Sequence, residues 1–133
     1  MNKLMISGKR KTSVAKASLT DGSGNVLYKG QDLSHLRPFH RLSVLEPIRI
    51  YESVMGKLPY DVHLKVSGGG KEGQIQAARL ALAKALVAKT NSKELKEAYL
   101  QYDRHILVAD VRRKEQRKPG DSKARAKRQK SYR

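Results

Sequence analysis

A chain of 133 residues can enclose one modest hydrophobic core, and its 38% hydrophobic and 31% charged residues leave part of it too polar to pack. Twenty-nine Lys and Arg against twelve Asp and Glu give a net charge of +17 and a pI near 10.3, which calls for a polyanionic partner. The absence of cysteine excludes a disulfide framework, a thiolate metal site and a thiol nucleophile. No apolar run is long enough to span a bilayer, and the start, MNKLMISGKRKTS, lacks a signal-type apolar stretch, so the expected location is the cytoplasm. Nucleic acid is the first candidate partner and an anionic membrane the second. A membrane-surface helix needs a broad face of Leu, Phe and Trp, whereas this chain has one Phe, no Trp and no apolar face on its densest cationic stretch.

In chain order, KTSVAKASLT (Lys11 to Thr20) is rich in small and β-branched residues and predicts a strand. DGSGN (Asp21 to Asn25) then VLYKG predicts a tight hairpin turn. A phosphate-binding reading of that GxG is the weaker one, because no helix follows to supply an N-terminus. Residues 33–39 read as a loop. RLSVLEPIRIYESVMG (Arg41 to Gly56) places Leu42, Leu45, Ile48 and Val54 or Met55 at helical spacing, with Pro47 either opening the helix or kinking it and Gly56 ending it.

YDVHLKVSGGG (Tyr60 to Gly70) is a strand with Val62, Leu64 and Val66 on one face and Asp61, His63 and Lys65 on the other. Lys71 to Lys89 is the strongest helix, with a stripe of Ile75, Ala78, Leu82, Ala85 and Leu86. Ser92 to Asp103 is a second, with Ser92 as N-cap and Leu95, Tyr99 and Leu100 apolar. His105 to Val111 is a short apolar run. Strands followed by helices predict an α+β fold, a two-layer sandwich. The folded domain is expected over residues 1–111.

Residues 112–133 form a different region. They hold eleven Lys and Arg against two Asp and Glu, and no Leu, Ile, Val, Phe or Met. Such a stretch cannot bury enough surface to offset its ordering entropy, so it is expected to be an extended basic tail, disordered when free. Its cations, Arg112, Arg113, Lys114, Arg117, Lys118, Lys123, Arg125, Lys127 and Arg128, suit phosphates: arginine forks them, lysine attracts them as a point charge. Near the terminus, Tyr132 is placed to stack on a base or sugar. The bland alternative is a solubilising charge run. Twenty-two residues reach roughly 70–80 Å when extended.

SGGGKEGQ joins strand to helix. Three glycines and exposed helix-start amides favour an anion, either a nucleotide phosphate or an RNA backbone phosphate; the alternative is a plain connection. It is not a Walker loop, as no GK[ST] follows. The four histidines show no metal-ligand spacing, and no nucleophile, base and orienting group occur together, so neither an enzyme nor a cofactor is expected.

GGGKEGQIQAARLALAKAL (Gly68 to Leu86) resembles the signature of the universal small-subunit ribosomal protein S-nine family. Gly68, Gly69, Gly70, Gly73, Gln74, Ala77, Ala81, Ala83, Lys84, Ala85 and Leu86 fill that pattern without a gap. GKRKTSVAKASL (Gly8 to Leu19) resembles the family's first strand, YDRHILVADVRRKEQRKPG its approach to the tail, and KARAKRQKSYR its terminus. Gln116 and Arg117 depart from the Pro-Lys of many members. The short N-terminal segment and linker look archaeal or eukaryotic-like.

The resemblance implies a fold like the second domain of ribosomal protein S-five, with a left-handed β-α-β crossover against the usual rule. It implies a place in the small-subunit head on ribosomal RNA, beside proteins of the S-seven, S-ten and S-fourteen families. Lys9, Arg10, Lys11, Gly68 to Gly70, Lys71, Gln74 and the tail cations would contact rRNA. Lys130, Ser131, Tyr132 and Arg133 would approach the anticodon stem-loop of P-site transfer RNA. A free-standing RNA-processing or RNA-chaperone protein, and a phosphotransferase using SGGGKEGQ, are the alternatives.

Overall fold

The computed structural model describes residues 3–121 and 123–132. Five strands form one sheet: β1 (Leu4–Arg10), β2 (Ser13–Asp21), β3 (Val26–Tyr28), β4 (Gln31–Asp32) and β5 (Tyr60–Ser67). Three α-helices, α1 (Pro38–Met55), α2 (Lys71–Thr90) and α3 (Lys93–Tyr102), make the second layer. The sheet order is β1-β2-β5-β3-β4. The result is a two-layer α+β sandwich, as expected.

β5 lies antiparallel to β2 and parallel to β3, to which it is joined through α1, so the sheet contains a β-α-β unit. The expected hairpin between β2 and β3 is therefore wrong: β5 separates the two strands. The DGSGN segment steps over the end of β5 and is held by Asp61, whose Oδ1 accepts the amides of Ser23, Gly24 and Asn25 at 3.0, 3.1 and 3.0 Å. Three amides converging on one carboxylate satisfy a loop that has no ladder partner. The family's "first strand" at Gly8 to Leu19 is in fact the end of β1, a two-residue turn and most of β2. Lys11, in that turn, takes a left-handed φ of 54°.

Alternation in register builds the core. Ile6 and Gly8 on β1 pair with Ala17 and Ala15 on β2, and Ala17 and Leu19 pair with Leu64 and Val62 on β5. These residues face α2, whose Ile75, Ala78, Leu82, Ala85 and Leu86 are all buried. Small residues on both layers let the helix lie close. A Cβ on Gly8 would come within 2.7 Å of the Ala77 carbonyl and the Ala81 amide. Fully burying a residue such as Leu86 contributes about 1.5–3 kcal/mol.

α1 begins at Pro38, not Arg41. Proline at the first helical position needs no N–H there. Pro47 lies inside the helix, so of the two expected roles it does not open it; Gly56 follows its last residue, as expected. Its ring is buried and its carbonyl accepts the Tyr99 hydroxyl at 2.7 Å, which ties α1 to α3. The buried face of α1 is His40, Val44, Pro47, Ile48 and Tyr51, while the expected Leu42 and Met55 are exposed. Ser92 caps α3 as expected, accepting the Leu95 amide at 3.3 Å; Leu100 on that helix is exposed rather than core. Beyond Ile106 the described residues form neither helix nor strand.

Candidate nucleic-acid interface

Arg10, at the end of β1, meets the start of the tail. Its Nε donates to Gln76 Oε1 at 2.7 Å, and its Nη1 lies 2.8 Å from Asp110 Oδ2, close enough for an ion pair but without hydrogen-bond alignment. Asp110 also accepts from the side chain and the backbone amide of Arg112, with Nη2 to Oδ2 at 2.7 Å and N to Oδ1 at 2.9 Å. These bonds from Arg112, with the nearby Arg10 charge, hold the Asp110 carboxyl far below the usual carboxylate range. Arg10 and Asp110 are each only 17% exposed in the side chain, so the last residues before the tail are fastened to the sheet.

Next to this clasp, Arg10, Lys11, Thr12, Arg112, Arg113 and Lys114 line a recess of about 550 Å³ with no acid among them. The geometry brings two expected groups together here: the cations of the β1–β2 turn and those of the tail root. A second cleft, of about 420 Å³, is of opposite character. There Arg79 Nε donates to Glu46 at 2.7 Å and its terminal nitrogens lie 3.3 Å from Asp103, so one side chain joins α1, α2 and the end of α3. Its charges are mutually satisfied and serve the fold.

The glycine loop divides by use. Gly68 and Gly69 have φ of 73° and 63°, and a Cβ on either would run into Thr12 of the β1–β2 turn or Ser13 at the start of β2. Their bareness is used by internal packing. Only Gly70 of the three faces open space. Gln74 is also committed internally: its Nε2 donates to the Gly68 carbonyl at 3.1 Å and its Oε1 accepts from Lys29 at 2.9 Å. Lys71 is exposed at the start of α2, on a cleft of about 270 Å³ shared with Lys29, Arg37 and His35. Neither Lys29, in the turn between β3 and β4, nor Arg37, just before α1, belongs to a motif that marks it in the sequence.

Along the tail, Arg117, Lys118, Lys123 and Lys127 are exposed. Arg125 forks Glu115, with Nη2 to Oε1 at 2.7 Å, and Arg128 Nε donates to the Gly120 carbonyl at 2.9 Å. Lys130, Ser131 and Tyr132 are exposed, Tyr132 at 89%. Arg133 lies outside the described residues. The described residues contain no cluster of His, Asp and Glu able to hold a metal, and no helix long and apolar enough to cross a membrane.

Fold and charge together define a small α+β protein with an excess of cations at one edge and a cation-rich C-terminal stretch. The chain belongs to the family described as ribosomal protein S9/S16, which matches residues 8–133. It is thus a ribosomal protein with a structural rather than a catalytic role. It is 43% identical over 129 residues to small ribosomal subunit protein uS9 of Methanococcus vannielii, covering 95% of each chain. It is 44% identical over 128 residues to the protein of that name from Halobacterium salinarum, covering 96% of each. The Methanococcus maripaludis protein of the same name is 42% identical over 129 residues, covering 95% of each. The archaeal character of these relatives agrees with the expectation from sequence.

Proposed function

We propose that this chain is a structural constituent of the small ribosomal subunit, in its head, where it binds small-subunit rRNA and sends its tail toward the anticodon stem-loop of P-site transfer RNA. The observation that carries this reading is the segregation of charge: eleven cations in the 22 residues after a fastened root, next to an acid-free recess. The Asp110 clasp gives the arm a fixed origin, and the exposed cations beyond it offer phosphate contacts without base reading. The tail orders on assembly, and the protein resides with ribosomes in the cytoplasm beside other head proteins.

The test is association with protein-free small-subunit rRNA across a salt series, for the whole chain and a variant ending at Val111. Steep salt dependence that collapses in the shorter variant supports the reading. Equal binding by the two would overturn the role of the tail.

A further inference from the structure

The helices cover one face of the sheet and leave the other open. β1, β2 and β5 turn Met5, Ser7 and Lys9, Val14, Lys16, Ser18 and Thr20, and Asp61, His63, Lys65 and Ser67 to that open side. Register sets Lys16 directly opposite Lys65 across the β2–β5 ladder, with Ser7 opposite Lys16 on the other side. Lys9 is the diagonal neighbour of Lys16, and His63 stands two residues from Lys65 on the same face. Like charges directly opposed on an antiparallel pair repel, and such pairs destabilise a sheet unless a counter-charge sits over them.

No such counter-charge comes from the domain. Of the residues these three strands turn to this side, Asp61 is the one acid, and its carboxylate is occupied by the amides of 23–25. Among the described residues none of Lys9, Lys16 and Lys65 has an ion-pair partner, and all three are exposed. We propose that the open face of the sheet is a second RNA-contacting surface, on which Lys9, Lys16 and Lys65 grip the phosphate backbone of a folded RNA segment. This rests on the rRNA-binding reading above and extends it to a face remote in sequence from the tail.

The composition of the face favours a backbone grip. It offers lysines and short hydroxyls (Ser7, Thr20, Ser67) but no aromatic ring on which a base would stack. An acidic protein is the competing occupant, and this face has few apolar residues to seat one.

The test is Lys65→Glu in the full-length chain. Opposite Lys16 it turns a repulsive pair into an attractive one, so the free protein melts at a higher temperature. Affinity for protein-free small-subunit rRNA falls by about tenfold, and the slope of log affinity against log salt becomes shallower by about one to two. Lys16→Gln gives the same pattern more weakly. Stability and RNA affinity moving in opposite directions is the signature. Unchanged rRNA affinity and slope would overturn the proposal. So would normal rRNA binding with poor retention in assembled subunits, which would mark an acidic protein as the occupant. Wild-type chain without salt-dependent rRNA affinity would instead sink the proposed function itself.

Discussion

The domain and the tail are built from the same charged residues put to opposite uses. In the domain, acids and arginines are consumed by each other or by the backbone: Arg79 bridges Glu46 and Asp103, Arg10 meets Asp110, and Asp61 binds three amides. There a guanidinium is a strut between elements that the chain places far apart. In the tail the cations far outnumber the acids, and most point into solvent. Charge lends shape where it is balanced and reach where it is not.

Changes in the two regions should therefore separate stability from affinity. The largest expected effect is in the core. Leu82→Ala, in a fully buried position on α2, should cost about 2–5 kcal/mol in denaturant unfolding. Ending the chain at Val111 should leave the thermal midpoint nearly unchanged while lowering affinity for rRNA by about a hundredfold at low salt, as filter binding would show. Gly8→Ala, which forces a Cβ against the α2 backbone, should cost about 1–3 kcal/mol by the same unfolding measurement.

A finer test uses acid. The Asp61 carboxyl is held below its ordinary range, chiefly by the Asn25 amide with Ser23 and Gly24 helping. A lowered folded value means that this stabilisation is complete above the unfolded value near ~3.9 and is lost as pH falls through the lower folded one. Wild type should thus lose thermal stability on acidification through that window more steeply than Asp61→Asn, and parallel melting curves would contradict the loop-clasp role. The smallest effect is expected from deleting Ser131 to Arg133: no change in stability, and a moderate loss of P-site transfer RNA retention on small subunits. Retention identical to wild type would remove the terminus from the proposed mechanism.

Legibility from sequence followed periodicity. β5, α2 and α3 were readable because alternation or a buried stripe repeats over several turns, and Ser92 declared its cap. β1 was missed because LMISGKR buries only a glycine fully and ends in cations. The start of α1 is hidden because a proline between loop-like residues carries the same signal whether it ends a loop or opens a helix. The false hairpin has a different cause: DGSGN carries proper turn chemistry, but the partner of β2 lies some 40 residues later. The concentration of cations in residues 112–133 was plain from composition alone. The Arg10–Asp110 clasp and the Lys16–Lys65 opposition were not, because both depend on sheet register between residues distant in sequence. The three glycines show the reverse hazard, since two of them serve the neighbouring turn.

The insertion of β5 between β2 and β3 also dictates an order of events in time. The flanking strands are synthesised first, and the strand that unites them arrives only after α1. Until then β2 and β3 each present an open edge, the kind of surface that pairs with the wrong chain. The β2–β5 ladder is long-range in sequence, and pairings of that kind are intrinsically slow to close. Nascent or refolding chains are most prone to aggregate before Tyr60 to Ser67 has found its slot, and a partner that shields those edges would help most in that interval.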